Sequence, residues 1–334
     1  MTKLDITVAT TITDRTQAIL DGRIAIEGCR VIPQPGNAQD IFRRTLSDKA
    51  FDVAELSMSS YLIAASRGDQ DYIAIPVYLS RAFRHASIYV RRDRGIAHAS
   101  DLAGRHVGIA QYQQTAGLWV RGILRDEYGL DPMHVHWRTG GLDTPNDKGE
   151  RLPLRPPAGL DLKAISAGTT LNGMLIDGEL DALILPPIPP ALHTHPHLVG
   201  RLFPDYVAVE QDYFRRTGIF PIMHVLVIRR TLCEAHAWLP EKVYEAFVRA
   251  KNQALQALTQ ININRVSLPW IAADAARVRE IMGKRIWAYG LEASRHELET
   301  MLRYSETDGL LARSLTPEAL FHPSTHSLPD LDTD

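Results

Sequence analysis

The sequence predicts an α/β fold built as two similar lobes. Three observations carry this expectation. Strands and helices alternate through the first half of the chain, the rhythm of a mainly parallel sheet covered on both faces. The 334 residues exceed one average domain and suffice for two of about 150. A short pattern also occurs twice. Leu46–Ala54 and Leu175–Leu183 both read as a helix end, a tight turn and a strand that opens apolar–Asp–apolar. Any helix–turn–strand unit can read this way, but the two copies fall in different halves.

Each element follows from local pattern. Leu4–Thr10 reads as a strand, Asp14–Asp21 as a helix and Arg23–Ile32 as a second strand. Gln39–Ser47 is a short helix, and Phe51–Glu55 a buried strand. Ser57 or Ser59 can cap the helix through Tyr61–Ser66. Ile73–Val77 and Ser87–Arg91 are further strands. The turn Asp101–Gly104 leads into the strand Arg105–Ala110. Thr115 is the expected N-cap of a helix that runs to Tyr128 before Gly129. Arg138–Pro157, rich in Gly, Pro and charge, reads as a surface excursion with hairpin character. A strand ending at Ile165, the helix Thr169–Asp177 and the strand Leu180–Leu185 follow. Pro186, Pro187, Pro189 and Pro190 force an extended path. Helices are expected at Lys242–Leu258, Ala272–Met282 and His296–Glu306, then a loose tail over the last dozen residues.

Composition narrows the function. Hydrophobic residues at 45% and charged residues at 23% describe a folded globular chain and exclude extended disorder. Lys plus Arg total 37 against 39 for Asp plus Glu, a net charge of −2, so bulk attraction to nucleic acid or an anionic membrane is absent. Cys29 and Cys233 are too few for a disulfide framework or a four-thiolate zinc site, and read as reduced packing residues. Asp5 interrupts the apolar run after Met1, so no secretory signal is read and a cytoplasmic location is expected.

In open α/β sheets, ligands bind beyond the carboxyl ends of strands, where helix N-termini offer N–H groups to anions. Thr10–Asp14, Glu55–Tyr61, Gln111–Trp119 and Gly168–Leu171 are such places, and together they describe a cleft between lobes for a small anion. Leu79–His85 carries Arg81, Arg84 and His85 within five residues. Guanidinium groups there can clamp a carboxylate, although the spacing fits surface arginines at a crossover equally well. His224 stands inside the apolar strand Thr217–Ile228. A histidine so placed is more often a satisfied core residue. If that strand is the return crossing between lobes, His224 and His85 flank the clamp and suit general acid–base work. His193, His195 and His197 lie in a proline-rigid loop without a nearby acidic partner, so no metal is assigned to them. His134 and His136 read as one face of a strand. No Gly-rich phosphate loop, Gly-x-Ser-x-Gly elbow or His-Glu-x-x-His is present.

Several longer motifs carry a family resemblance. They are Phe51–Ser57, Arg81–His85, Thr115–Gly122, Arg201–Asp205, Thr217–His224 and Trp287–Leu291. In this order, over nearly the whole chain, the sequence resembles the 4,5-dihydroxyphthalate decarboxylase family. The resemblance implies a two-lobed fold like that of the type II periplasmic binding proteins, with two crossing strands between lobes and the ligand cleft at their interface. Lobe 1 would be 1–84 with 225–334, and lobe 2 would be 85–224. It also leads one to expect an arginine soon after Asp181–Leu185, where Pro186–Pro190 stand instead.

The implied reaction is non-oxidative removal of CO2 from a hydroxylated aromatic acid, with protocatechuate as product, in phthalate degradation. The implied partner is a small aromatic carboxylate, with no cofactor, no metal, no nucleic acid and no membrane. A homo-oligomer stays open. A solute receptor or sensor without catalysis is the competing reading, and a related hydroxybenzoate the competing substrate. His224 is the nominated proton donor to the ring, with His85 second. Glu55 or the other histidine would take the phenol proton, and Arg81 and Arg84 would hold the retained carboxylate. Ser57 joins them, with Tyr112, Thr115 and Trp119 as the opposite wall.

Overall fold

The computed structural model describes residues 2–69, 71–145, 149–263 and 265–330. The chain divides into two compact units, Met1–Arg81 with Phe214–Glu299 and Leu315–Asp334, and Ala82–Tyr213 with Thr300–Ser314. The expected 84/85 and 224/225 divisions differ from these bounds: Phe214–His224 groups with the first unit, and residues 300–314 with the second.

In the first unit the chain forms β1 (Leu4–Ala9), α1 (Gln17–Leu20), β2 (Cys29–Pro33), α2 (Ala38–Arg43), β3 (Val53–Ser57), α3 (Met58–Ser66) and β4 (Tyr72–Arg81). The second unit adds β5 (Ile88–Arg91), β6 (His106–Ile109), α4 (Thr115–Tyr128), β7 (His136–Thr139), β8 (Leu162–Ala164) and α5 (Leu171–Asp177). It continues with β9 (Ala182–Ile184), α6 (Ala191–Thr194) and β10 (Val199–Arg201). After α7 (Tyr206–Thr217), β11 (Ile222–Arg229) returns to the first unit, followed by α8 (Arg230–Ala235), α9 (Leu239–Ala257), α10 (Ile271–Met282) and α11 (Arg295–Thr307).

The first sheet runs β2-β1-β3-β11-β4. Its strands β1, β2 and β3 are parallel, and β11 is antiparallel to both β3 and β4. Every residue of β3 is buried, as expected of a strand covered on both faces. Pro76 lies within β4, which has a sheet neighbour on one side only, so its missing N–H breaks no ladder. The second sheet runs β10-β5-β9-β6-β7-β8 and is also mixed. Its core packs Tyr89 with Leu171, Leu175, Leu180 and Leu183. Gly108 of β6 allows that closeness, since a Cβ there would lie 2.5 Å from Leu183.

The repeated sequence pattern has a shared physical role. Asp52 accepts the Thr7 N–H at 2.9 Å and hydroxyl at 2.7 Å, bracing β1 from the foot of β3. Asp181 accepts the His106 N–H at 2.9 Å, bracing β6 from the foot of β9. Each aspartate sits where the parallel neighbour's amide would otherwise lack a carbonyl.

Several expectations are corrected. Thr115 is the first residue of α4, and the N-cap is Gln114. After β7 the excursion forms no hairpin among the described residues, and residues 146–148 lie outside them. His134 belongs to a short 3-10 turn, while His136 in β7 pairs with Asp161 at 2.7 Å. The proline run gives way at once to α6, with Pro190 as its N-cap.

The expected loose tail is tied down through residue 330, and residues 331–334 lie outside the described residues. The His322 N–H donates to Ala74 O at 2.9 Å, and Phe321 bridges Ala74. The Gly290 N–H donates to Pro76 O at 2.8 Å, so backbone from two later segments covers the outer edge of β4. Asp330 accepts from the buried Lys251 Nζ at 2.6 Å and from the Tyr289 N–H at 3.0 Å. Asp330→Ala takes the carboxylate from a buried ammonium and is expected to cost roughly 3–5 kcal/mol. Urea unfolding would measure it, and a loss below about 1 kcal/mol would return residues 323–330 to the status of a loose end.

Candidate functional site

Glu55, His224 and Thr11 meet at one end of the first sheet. In the order β2-β1-β3, the chain leaves β1 toward β2 on one side and leaves β3 toward β4 on the other. Loops diverge at such a point and leave a crevice beyond the carboxyl ends of the strands. Thr11 follows β1, and Glu55 and Ser57 close β3. Antiparallel β11 places His224 opposite Ser57 and Leu226 opposite Glu55. His224 and Glu55 are therefore diagonal neighbours on one sheet face, within reach of long side chains.

His224 Nδ1 lies 2.6 Å from Glu55 Oε1. Glu55 Oε2 accepts both the Thr11 N–H and the Thr11 hydroxyl, each at 2.7 Å. Burial pushes the Glu55 carboxyl up. The His224 hydrogen bond and charge, then the two Thr11 donors, outweigh that and hold it below the usual range. An ionised carboxylate only accepts, so Nδ1 carries the hydrogen and Nε2 is the nitrogen placed for proton exchange. The Glu55 side chain is 1% exposed and the His224 side chain 22%, so the ring reaches solvent while its carboxylate does not. Phe42 of α2 packs its ring edge-on to the imidazole at 4.8 Å, fixing its plane.

Other nominated residues have different places. Arg81 is interior to the first unit. It donates to Phe220 O, Ala288 O, the Ser294 hydroxyl and Glu297, with 1% of its side chain exposed. Its guanidinium joins chain segments and is not a carboxylate clamp. Ser57 caps α3 through the Ser60 N–H at 3.5 Å, the first of the two caps expected for that helix. In the second unit His85 is buried among the rings of Tyr213, Phe203 and Tyr128, with centroids at 5.3, 5.4 and 6.2 Å. Such surroundings suit a packing histidine better than a proton donor. Arg84 is half-buried near Glu210; burial lowers its pKa to about 10, which leaves it cationic at neutral pH.

The expected wall residues are interior as well. Trp119 is fully buried against Tyr304, Tyr112 lies under the Arg121 guanidinium at 3.9 Å, and Thr115 is buried in the first turn of α4. Arg121 in turn donates to Asp308 at 2.6 Å, which holds residues 300–314 to this unit.

All four expected anion segments use donors on the protein itself. Thr11 grips Glu55, and Ser57 takes the Ser60 amide. Thr170 takes the Gly173 amide at 3.1 Å. The Tyr112 and Gln113 amides hold the Glu150 carboxylate at 2.5 and 3.2 Å. Sequence reading singled out neither Thr11 nor Glu150 as a partner in these contacts. The threonine-rich turn signalled the first only as a generic anion loop; nothing marked the second. Among the described residues, no three His, Cys, Asp or Glu side chains gather to hold a metal ion, and no helix is long and apolar enough to cross a membrane.

Comparison with known proteins gives a consistent family. A 4,5-dihydroxyphthalate decarboxylase of Comamonas testosteroni is 37% identical over 325 residues, covering 97% of this chain and 98% of the relative. One of Pseudomonas putida is 38% identical over 215 residues, covering 64% of this chain and 83% of the relative. The family model for a periplasmic substrate-binding protein of a phosphonate ABC transporter matches residues 7–142. Among solved structures, a periplasmic sulfonate-binding protein from Methylobacillus flagellatus aligns with a TM-score of 0.55 at 12% identity, over 97% of this chain and 92% of that one. The alkanesulfonate-binding protein of Xanthomonas axonopodis pv. citri aligns with 0.52 at 12% identity, over 96% and 98%. These similarities establish the type II periplasmic-binding-protein fold, here with two mixed sheets.

The Glu55 carboxyl titrates below its ordinary value of 4.5 in the folded chain. Its charge therefore adds stability above that value, and the addition is lost as pH falls through the lower folded value. The stability gap between the wild type and Glu55→Gln should be widest near neutrality and close as pH drops below 4.5. Denaturant unfolding across that range measures it, and a gap independent of pH would mean that Glu55 is not held ionised by its neighbours.

Proposed function

This chain belongs to the 4,5-dihydroxyphthalate decarboxylase family, and on that premise we propose that it removes CO2 from a hydroxylated aromatic acid without oxidation. The substrate we propose is 4,5-dihydroxyphthalate, with protocatechuate as product and the cytoplasm as compartment. The observation that carries the reading is the Glu55–His224 pair: a partly exposed imidazole backed by a buried carboxylate.

The substrate can supply its own electron source. Each carboxylate is para to a hydroxyl, and loss of the phenol proton to solvent water, which returns it at the end of the cycle, pushes electron density to the ring carbon that bears the carboxylate. His224 Nε2 donates a proton to that carbon, giving a dienone. The bond to the carboxylate then breaks, CO2 leaves, and the electron pair returns to the ring, which regains aromaticity. The net change consumes one proton and restores the phenol. Glu55 balances the imidazolium charge before donation and holds the ring plane during it. The retained carboxylate calls for a cationic partner. The departing carboxylate is better left without such a partner, because ground-state pairing would oppose its loss.

The test is turnover by the purified protein of 4,5-dihydroxyphthalate, with protocatechuate and CO2 followed by chromatography. His224→Asn is expected to lower kcat by roughly 10²–10⁴-fold while the variant stays folded and binds ligand. Ligand binding without any turnover would favour a receptor, and turnover of another hydroxybenzoate alone would move the substrate.

A further inference from the structure

We infer that Thr11 is a positioning residue that, through Glu55, holds the neutral His224 ring as the Nδ1–H tautomer and leaves Nε2 to take up and pass on a proton; this rests on the acid–base reading of that pair. Two Thr11 donors converge on one carboxylate oxygen, Oε2, each at 2.7 Å. That leaves Oε1 for His224 Nδ1 at 2.6 Å. With Oε2 pinned, the carboxylate cannot rotate about its terminal bond without losing both donors. Oε1 stays aimed at the imidazole, and Nδ1 keeps its hydrogen in the neutral ring.

The turn that carries Thr11 is itself locked. The Thr16 hydroxyl donates to Thr11 O at 2.7 Å and accepts from the Thr13 N–H at 2.8 Å. Thr16 is fully buried, and the Gln17 N–H closes onto Thr13 O at 2.9 Å. Neighbouring Ile12 is 64% exposed, so packing of that side chain does not set the turn. The Thr16 hydroxyl thus holds the Thr11 backbone, and Thr11 in turn holds Glu55 against the imidazole. The threonine-rich sequence Thr10–Thr16 acquires a purpose beyond turn formation: it places a rigid donor pair against the carboxylate. The hydroxyl and the amide of Thr11 do one job, so a variant that keeps the amide isolates the hydroxyl.

Thr11→Val keeps size and amide and removes the hydroxyl, while Thr11→Ser restores it. Nitrogen-15 NMR of His224, recorded in the substrate-free protein at a pH raised until the ring signal is that of a neutral imidazole, should show one Nδ1–H tautomer in the wild type and in Thr11→Ser. Thr11→Val should show a mixture with the Nε2–H form. In turnover assays, kcat of Thr11→Val should fall about 10–100-fold with KM within about twofold, and Thr11→Ser should recover it. A Thr11→Val protein with a single Nδ1–H tautomer, or a serine variant as impaired as the valine one, overturns the inference. Glu55→Gln separates the two levels. If it keeps full turnover, the acid–base reading itself fails, and the tautomer signal still decides the part played by Thr11.

Discussion

A carboxylate with 1% of its side chain exposed must be met by donors on both oxygens, or it cannot stay charged. Much of the first unit follows from meeting Glu55. Parallel pairing of β1 with β3 brings Thr11 to one oxygen. Insertion of β11 beside β3 brings a histidine to the other. Neither partner is local in sequence: Thr11 is 44 residues away and His224 is 169. The pair exists only because the sheet order places three distant segments side by side.

The same rule acts in the second unit, with a different result. There the amides ahead of α4 close on Glu150, and among the described residues no imidazole shares that carboxylate. The two units therefore repeat a backbone solution, an aspartate at the foot of one strand and a donor turn at the head of its parallel neighbour, and in the first unit a titratable ring joins it. Fold similarity to sulfonate-binding proteins is compatible with this difference, because a scaffold and the chemistry carried on it are separable.

Much of the architecture was legible in the sequence. Apolar runs and turn residues located β1, β3, β6, α4 and α9 to within a few residues, and the Asp52 and Asp181 echo marked equivalent strand starts. Glu55 and His224 were both named, although their contact was not. The misreadings share one cause. Residue type and spacing tell what a side chain can bind, but not which side of the chain it faces. Arg81 looked like a clamp and is a buried tie among four partners. Trp119 looked like a wall and is core. The last dozen residues looked loose because the partner of Asp330, Lys251, lies far off in sequence.

Strand order also dictates when the first unit can be completed. β11 lies between β3 and β4, which therefore sit roughly 10 Å apart, too far to pair with each other. As the chain is synthesised, the facing edges of these two strands have no partner until residue 229 has been made. The whole of Ala82–Tyr213 emerges in that interval. The outer edge of β4 waits longer still, for Gly290 and His322. A nascent chain thus carries an open sheet through most of its synthesis, and Pro76, which offers no amide there, reduces what a stray strand can grasp.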